Sequence, residues 1–167
     1  MVILGIDPGL AIVGWGVIDY DKNRFRTIDF GSLQTPAGEA TETRLVNIYS
    51  GMQELIKRYK PSCMAVEELF FNTNITTGIR VSQARGVILL AAAQAGIEIA
   101  EYTPLQVKQA VAGYGRADKH QIITMVTRLL GLREPPKPDD TADALAIAIC
   151  HAHCGGSRIA QYYNQKL

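Results

Sequence analysis

The sequence predicts an α/β fold in which one mixed β-sheet carries layers of helices on its faces. Two observations support this prediction. Three strand-like segments follow one another with only short turn signals between them, which indicates an antiparallel meander. From residue 41 onward, helical periodicity alternates with short buried strands. A meander followed by strands that alternate with helices is typical of a mixed sheet between helical layers.

The first half of the chain supplies the meander, one helix and one further strand. The meander strands are predicted at Val2 to Asp7, Ile12 to Tyr20 and Arg24 to Gln34. Apolar residues then recur at helical spacing from Thr41 to Tyr59, and Lys60-Pro61-Ser62 ends that helix. A short buried strand is predicted from Cys63 to Val66. The short connections of the meander require its three strands to be antiparallel.

The second half alternates helices with one more strand, which brings the predicted sheet to five strands. A polar tract from Asn72 to Thr77 precedes a helix that ends near Gln94. The remaining elements are a strand at Ile97 to Tyr102 and helices at Leu105 to Ala112, Lys119 to Leu130 and Thr141 to His153. We expect one domain over residues 1–156 and a loose tail over 157–167.

Composition narrows the class of protein without identifying a partner. The chain has 167 residues, of which 47% are hydrophobic, and its net charge is +1. Nucleic-acid binding therefore needs a local basic surface, because bulk charge gives no support for it. The odd number of cysteines and the lack of a basic leader or a membrane-length apolar segment predict a cytoplasmic protein with free thiols.

Four acidic residues stand where carboxylates are costly. Asp7 ends an apolar strand, Glu67 follows Met-Ala-Val, and Asp140 and Asp143 open the apolar stretch of the last helix. Several buried carboxylates that converge require a shared cation, since an unpaired buried charge costs several kcal/mol. Hard oxygen ligands favour Mg2+, with Mn2+ as a substitute. The pattern therefore predicts a metal-dependent enzyme.

Simpler explanations fit some of the acidic residues. Asp7 precedes Pro8-Gly9 and fits a turn, although strand alternation places it in the same row as core-facing Ile3. Helix capping accounts well for Asp139. Capping does not explain Asp143, which shares a helix face with Asp140 three residues earlier. Adjacent Glu67 and Glu68 face opposite ways on an extended chain, so only one of them reaches a shared site.

Five segments in one order resemble the RuvC family of crossover-junction endonucleases. They are Gly5-Ile6-Asp7-Pro8-Gly9, Ala65-Val66-Glu67-Glu68-Leu69-Phe70, Gln83-Ala84-Arg85-Gly86-Val87, Gln106-Val107-Lys108-Gln109 and Ala142-Asp143-Ala144-Leu145-Ala146-Ile147-Ala148. The resemblance extends from Val2 to about His153. It implies a ribonuclease-H-like fold and a homodimer that resolves four-way (Holliday) junctions by paired symmetric nicks, which leave 5′-phosphate and 3′-hydroxyl ends.

The resemblance also implies roles for individual residues. Asp7, Glu67, Asp140 and Asp143 would be the catalytic acids, and two Mg2+ ions per site would activate water and stabilise the leaving oxygen. Asp139 is an alternative to Asp140, but only Asp140 keeps the three-residue offset of the family. Lys119 would stabilise charge in the transition state. A branch-migration complex of the RuvA and RuvB type would be the partner in bacteria.

DNA contacts are predicted near these acids. The basic candidates are Arg80, Arg85, Lys108, Arg116 and Lys119. A solvated surface role is about equally plausible for Arg80, whereas Lys108 and Lys119 match basic positions that the family places near the scissile phosphate. By resemblance, Phe70 stacks on an unpaired base at the junction, and such stacking contributes roughly 1–3 kcal/mol per base.

Other functions fit parts of the sequence. Gly-Ile-Asp-Pro-Gly also resembles a phosphate loop of sugar-kinase and actin-like ATPases, but 167 residues leave no room for their second half. A ribonuclease H, a single-strand nuclease or a non-catalytic junction-binding module remain alternatives. The stretch from Cys150 to Cys154 suggests zinc, yet it lacks a second ligand pair at the usual spacing.

Overall fold

A computed structural model describes residues 1–68 and 75–154, except for the side chains of residues 75–77. The strands are β1 (Val2–Asp7), β2 (Ile12–Asp21), β3 (Arg24–Gln34), β4 (Cys63–Glu67) and β5 (Glu98–Tyr102). The helices are α1 (Thr41–Tyr59), α2 (Ile75–Gln94), α3 (Pro104–Ala112), α4 (Lys119–Leu129) and α5 (Asp139–Cys154). All predicted elements are present, with ends that shift by up to three residues.

The five strands form one mixed sheet in the order β3-β2-β1-β4-β5. β1 pairs antiparallel with β2, and β2 with β3, so the predicted meander is confirmed. β4 runs parallel to β1, and β5 runs parallel to β4, because helices make both crossovers. The carboxyl ends of β1 and β4, two neighbouring interior strands, therefore lie side by side.

Helices cover both faces of the sheet, as predicted, and strand alternation assigns each side chain to one face. Leu4, Ile6, Met64 and Val66 pack on the face covered by α1 and α2. Their neighbours Ile3, Cys63 and Ala65 pack on the other face, against α5 with α3 and α4 beside it. α5 is buried over most of its length, since the sheet lies beneath it and two helices flank it.

Cys150 and His151, near the end of α5, belong to the core, whereas His153 is exposed. The Nδ1 atom of His151 lies 2.8 Å from the Tyr102 hydroxyl oxygen, and its Nε2 atom lies 3.1 Å from Cys63 Sγ. Burial lowers the pKa of His151, which favours the neutral ring that these two contacts need. The histidine is thus a hydrogen-bonded core residue rather than a helix-end residue on the surface.

Candidate active site

Two of the predicted acids end adjacent parallel strands. Asp7 is the last residue of β1 and Glu67 the last residue of β4, and the register pairs Ile6 with Val66 just before them. Both acids continue the row of side chains that faces α5, since Ile3 and Cys63 begin those rows in the core beneath that helix. The sheet therefore brings these two carboxylates together on the α5 side.

Glycines let the start of α5 approach the sheet closely. A Cβ atom on Gly14 would lie 2.0 Å from the backbone oxygen of Asp140, and one on Gly5 would lie 2.1 Å from that of Ala144. Any larger residue at either position would push the helix away. Gly14 is the direct partner of Asp7 in the β1–β2 ladder. This contact brings the first turn of α5, with Asp140 and Asp143, next to Asp7.

The electrostatics of Asp7 reflect this crowding. Burial, followed by the negative charges of Asp143, Glu67 and Asp140, raises the pKa of Asp7 to about 8. Burial and the charge of Asp143 also raise the pKa of Glu67. These acidic neighbours disfavour ionisation of Asp7 and Glu67 unless positive charge is added. The structure thus brings together all four acids that the sequence predicted.

Lys119 supplies one positive charge to this group. Its Nζ atom lies 3.3 Å from an oxygen of Asp143 and 3.4 Å from one of Asp139. Partial burial opposes the charge on Lys119, but these two carboxylates outweigh burial and raise its pKa. Lys119 is the first residue of α4, where a capping box between Asp118 and Gln121 fixes the helix start. Lys119 therefore lies beside Asp139 and Asp143, and its catalytic role stays a prediction.

Asp139 and Asp140, the two alternatives for the fourth acid, have different surroundings in the structure. α5 begins at Asp139, two residues before the predicted start, so both acids lie in its first turn. The Asp139 side chain is 60% exposed and pairs with Lys119. Asp140 instead lines the groove that contains Asp7 and adds to the negative charge around it. This placement favours Asp140 as the fourth acid.

The predicted DNA-binding residues differ in their surroundings. Burial and Asp143 raise the pKa of Glu67, and the charge of Lys108, on α3, partly opposes them, so this lysine lies near the acids. Arg80 is exposed and lines the groove that contains Asp7. Arg85 is mostly buried, donates to the backbone oxygen of Glu67 at 3.3 Å and pairs with Glu101.

The DNA contacts predicted for Arg85, Arg116 and Phe70 stay predictions. The Arg85 contacts point to positioning of the β4 end, because its charge is already paired, and its contact with DNA stays a prediction. Arg116 is exposed in the connection between α3 and α4, and its role also stays a prediction. Phe70, the predicted stacking residue, lies outside the described residues.

The donor chemistry of the site fits a hard divalent cation. Carboxylate oxygens are the preferred ligands of Mg2+ and Mn2+, and a cation would relieve the repulsion that raises the pKa of Asp7. Across residues 1–68 and 75–154, however, no group of three or more His, Cys, Asp or Glu side chains has an arrangement that could already hold a metal. Side-chain rotation would have to bring the ligand oxygens together.

Two features of the site escaped the sequence analysis. Gly5 and Gly14 allow α5 to approach the sheet, and a glycine inside a strand was the available signal of such close contact. Arg44 is buried and lines the groove beside Asp7. Its signal was the spacing to Ile48 and Met52, which extends the apolar stripe of α1 back to a charged residue.

A mixed sheet of order β3-β2-β1-β4-β5 with acids at the ends of β1 and β4 and on α5 defines a nuclease of the ribonuclease-H-like class. The family model "Crossover junction endodeoxyribonuclease RuvC" matches residues 3–151. The chain belongs to the RuvC family of crossover junction endodeoxyribonucleases.

Individual relatives support this membership. The chain is similar to RuvC of Desulfitobacterium hafniense, with 63% identity over 153 residues, 92% of this chain and 93% of the relative. RuvC of Alkaliphilus oremlandii is 59% identical over 93% of this chain and 94% of its own length. Thermus thermophilus RuvC in complex with Holliday junction substrate superposes with a TM-score of 0.88 at 39% identity, covering 93% of this chain and 94% of that one.

Proposed function

We propose that this chain resolves Holliday junctions by metal-dependent hydrolysis of phosphodiester bonds, and that Asp7, Glu67, Asp140 and Asp143 form its catalytic site. Family membership supports the activity, since RuvC proteins are crossover junction endodeoxyribonucleases. The convergence of carboxylates from β1, β4 and α5 is the observation that carries the site assignment. Asp7 and Glu67 end adjacent parallel strands, and the contact at Gly14 places the start of α5 beside Asp7. This convergence also favours an enzyme over a module that only binds junctions.

The four acids would hold the metal, which we propose to be Mg2+, with two ions per site. When bound, the cation would supply Lewis-acid activation of the attacking water and stabilise negative charge on the leaving 3′ oxygen. Asp7 has a central role in this proposal, because it is the acid most strongly affected by the other three. Its carboxylate must lose its proton before it can serve as a ligand.

The lysines act on the DNA rather than on the metal. Lys119 faces the acids through Asp143, so it is placed to stabilise the extra charge on the phosphate during cleavage. Lys108 approaches the site from the Glu67 side. Both cations would position the scissile phosphate among carboxylates that would otherwise repel it. Arg80 would contact the DNA backbone along the groove beside Asp7.

Paired symmetric nicks require two active sites, so we propose a homodimer. Its interface would lie on the α1–α2 side, where Val46 and Leu90 are 61% and 51% exposed. Exposed apolar side chains in one region are typical of interaction surfaces. These two residues line a groove between α1 and α2, with Leu45, Tyr49, Val87 and Gln94. The active sites would then lie away from the interface.

Several parts of the proposal come from the family alone. These are 5′-phosphate and 3′-hydroxyl products, base stacking by Phe70 and assembly with a RuvA and RuvB type branch-migration complex. A cytoplasmic location, also proposed, is in keeping with the free cysteines. None of the helices within the described residues has the length and apolar character to cross a membrane.

Competition between substrates tests the proposed function. The purified chain is mixed with Mg2+ and a synthetic four-way junction, a linear duplex and an RNA–DNA hybrid, each with its own label. We expect nicks at symmetric positions in the junction and little cutting of the other two. Equal cutting of the hybrid would favour a ribonuclease H, and a junction left intact with both Mg2+ and Mn2+ would refute resolution.

A further inference from the structure

Arg44 is a charged residue in an unusual place. It is the fourth residue of α1 and only 8% exposed, on the same stripe as the core residues Ile48 and Met52. Buried arginines are normally paired with carboxylates, because removing the charge from water is costly. Arg44 therefore needs a partner that compensates its charge.

Protein groups satisfy only some of the hydrogen-bond donors of Arg44. The Nε atom of Arg44 donates to Thr35 Oγ1 at 2.8 Å, and its Nη2 atom donates to the Thr35 backbone oxygen at 3.5 Å. These contacts use two of the five N–H groups of a guanidinium. None of the ion pairs among the described residues involves Arg44. The remaining residues, 69–74 and 155–167, contain no Asp or Glu.

Hydrogen bonds tie Arg44 to the turn that follows Asp7. The hydroxyl of Thr35, which accepts from Arg44, donates to the backbone oxygen of Leu10 at 2.5 Å. The Thr35 amide donates to the Ala11 oxygen at 3.0 Å. Leu10 is three residues after Asp7, so this chain of bonds fixes the guanidinium relative to the catalytic strand end.

Arg44 and Asp7 line the same open groove, which has a volume of about 600 Å³. The groove is also lined by Arg80, Asp140 and the turn Pro8–Ile12. Among the described residues, no Arg44 nitrogen is both buried and without a partner. Nη1 has no hydrogen-bond partner among the described residues, so this nitrogen keeps some accessible surface, and Arg44 lines the groove. Two arginines thus face a groove that ends at the catalytic acids.

The start of α1 adds further positive potential. Ala40 precedes the helix and makes no side-chain cap, so the free N–H groups of the first turn have no acceptor from that residue. The helix dipole places partial positive charge at this end, where an arginine is electrostatically unfavourable. Ala37, three residues before Ala40, lines the same groove. An anion in the groove would compensate both Arg44 and the helix end.

We infer that this groove binds a backbone phosphate of the cut DNA strand, neighbouring the scissile phosphate, through the guanidinium of Arg44 with Arg80 beside it. A guanidinium held by one threonine still presents a donor pair that matches two phosphate oxygens. The bound phosphate would set the register of the strand across Asp7. The inference rests on the proposed function, because it concerns the DNA that the carboxylates cut.

The opposing explanation is that Arg44 only links α1 to the turn after Asp7. A scan with methylphosphonates separates these two roles, since each substitution removes the charge of one phosphate in the junction strand. Junction binding is measured for the unmodified chain, Arg44→Gln and Arg58→Gln, with Ca2+ in place of Mg2+ to prevent cleavage. Arg58 is the matched control, because it lies in the last turn of α1 and carries the same charge.

We expect one phosphate near the cleavage position whose neutralisation weakens binding of the unmodified chain about tenfold. In Arg44→Gln that loss should disappear, while losses at other positions remain. The slope of log K against log salt should also fall by about one in this variant. Arg58→Gln should give the same scan as the unmodified chain.

Identical scans for the unmodified chain and Arg44→Gln would overturn the inference and leave Arg44 as a structural link. If Arg44→Gln does not fold, Arg44→Lys is scanned instead, since it keeps the charge and loses the paired donors. Neutralising the same phosphate should weaken junction binding by Arg44→Lys less than it weakens binding by the unmodified chain. An equal loss of binding in the two proteins would contradict the inference. Cleavage by the unmodified chain in Mg2+ is measured alongside, so that failure of the proposed function is recognised separately.

Discussion

Gly14 lies directly under the first turn of α5, where a Cβ atom would stand 2.0 Å from the backbone oxygen of Asp140. Gly14 also pairs with Asp7 across the β1–β2 ladder. One glycine therefore links the acid on β1 to the acids on α5. The arrangement of the active site depends on this close contact between helix and sheet as well as on the carboxylates themselves.

Replacing Gly14 with alanine should damage the site without touching a carboxylate. The new methyl group must displace α5, so we expect junction cleavage to fall at least tenfold and the free energy of unfolding to decrease by about 1–3 kcal/mol. Cleavage rates and thermal unfolding measure the two effects. Gly86→Ala is the control, because among the described residues a Cβ there would meet no atom within 4 Å beyond its chain neighbours and its own helix backbone. Normal cleavage by Gly14→Ala would mean that the contact does not position Asp140.

Metal binding should release protons and tighten as the pH rises. Burial and neighbouring carboxylates raise the pKa of Asp7 to about 8, and a metal ligand must be ionised. The affinity for Mg2+ should therefore increase through pH 8 and level off above it. Titration calorimetry in two buffers with different ionisation enthalpies measures the protons released. An affinity that stays constant over this range would contradict the raised pKa of Asp7.

The raised pKa of Asp7 should also make the stability of the metal-free protein depend on pH. An acid whose pKa is raised by folding contributes stability at low pH, and this contribution is lost as the pH rises through the folded value. Thermal unfolding of the native chain is measured in a chelator. Its stability should fall as the pH rises from the pKa of unfolded Asp7, 3.8, to about 8. Asp7→Asn should remove that dependence. Parallel pH curves for the two proteins would be inconsistent with this account.

Asp139 and Asp140 should differ in their importance for cleavage. Asp140 lines the groove with Asp7, whereas the Asp139 side chain is 60% exposed and contacts Lys119. We expect Asp140→Asn to lower the cleavage rate by about 100-fold or more, because it removes a proposed metal ligand. Asp139→Asn should lower the rate by less than about tenfold. Rates at saturating Mg2+ measure this difference, and a reversed order would make Asp139 the ligand.

His151 should make the fold sensitive to acid. Its pKa is lowered because it is buried, so it contributes stability above its unfolded pKa of 6.5, and this contribution is lost as the pH falls. The melting temperature of the native chain should decrease between about pH 7.5 and pH 5. His151→Gln should start less stable and decrease less over that range. An equal decrease in both proteins would assign the acid sensitivity to other groups.

Much of this structure could be predicted from local patterns. Short connections required the antiparallel meander, and helical periodicity located the remaining layers. Parity along the strands placed Asp7 in the core-facing row of β1, and helix capping left Asp143 unexplained, which made it a candidate site residue. The inferences about the fold succeeded because each depends on residues close together in the sequence.

The remaining features depend on contacts between distant parts of the chain. Nothing near Gly14 indicates that α5, more than a hundred residues later, presses against it. Arg85 was predicted to contact DNA, which stays a prediction, and its ion pair with Glu101 was not predicted. Arg44 was not among the predicted site residues, because its burial beside Thr35 depends on contacts across the fold. A sequence pattern does not specify which partner a long side chain finds.

The most direct test of the account compares cleavage and binding of a four-way junction by the native chain and Asp7→Asn. Asp7 lies at the centre of the four carboxylates, so the substitution should abolish Mg2+-dependent nicking while junction affinity stays within a few-fold of native. Loss of nicking with binding retained is the predicted result. Nicking by Asp7→Asn at the native rate would contradict the claim that these carboxylates form the catalytic site.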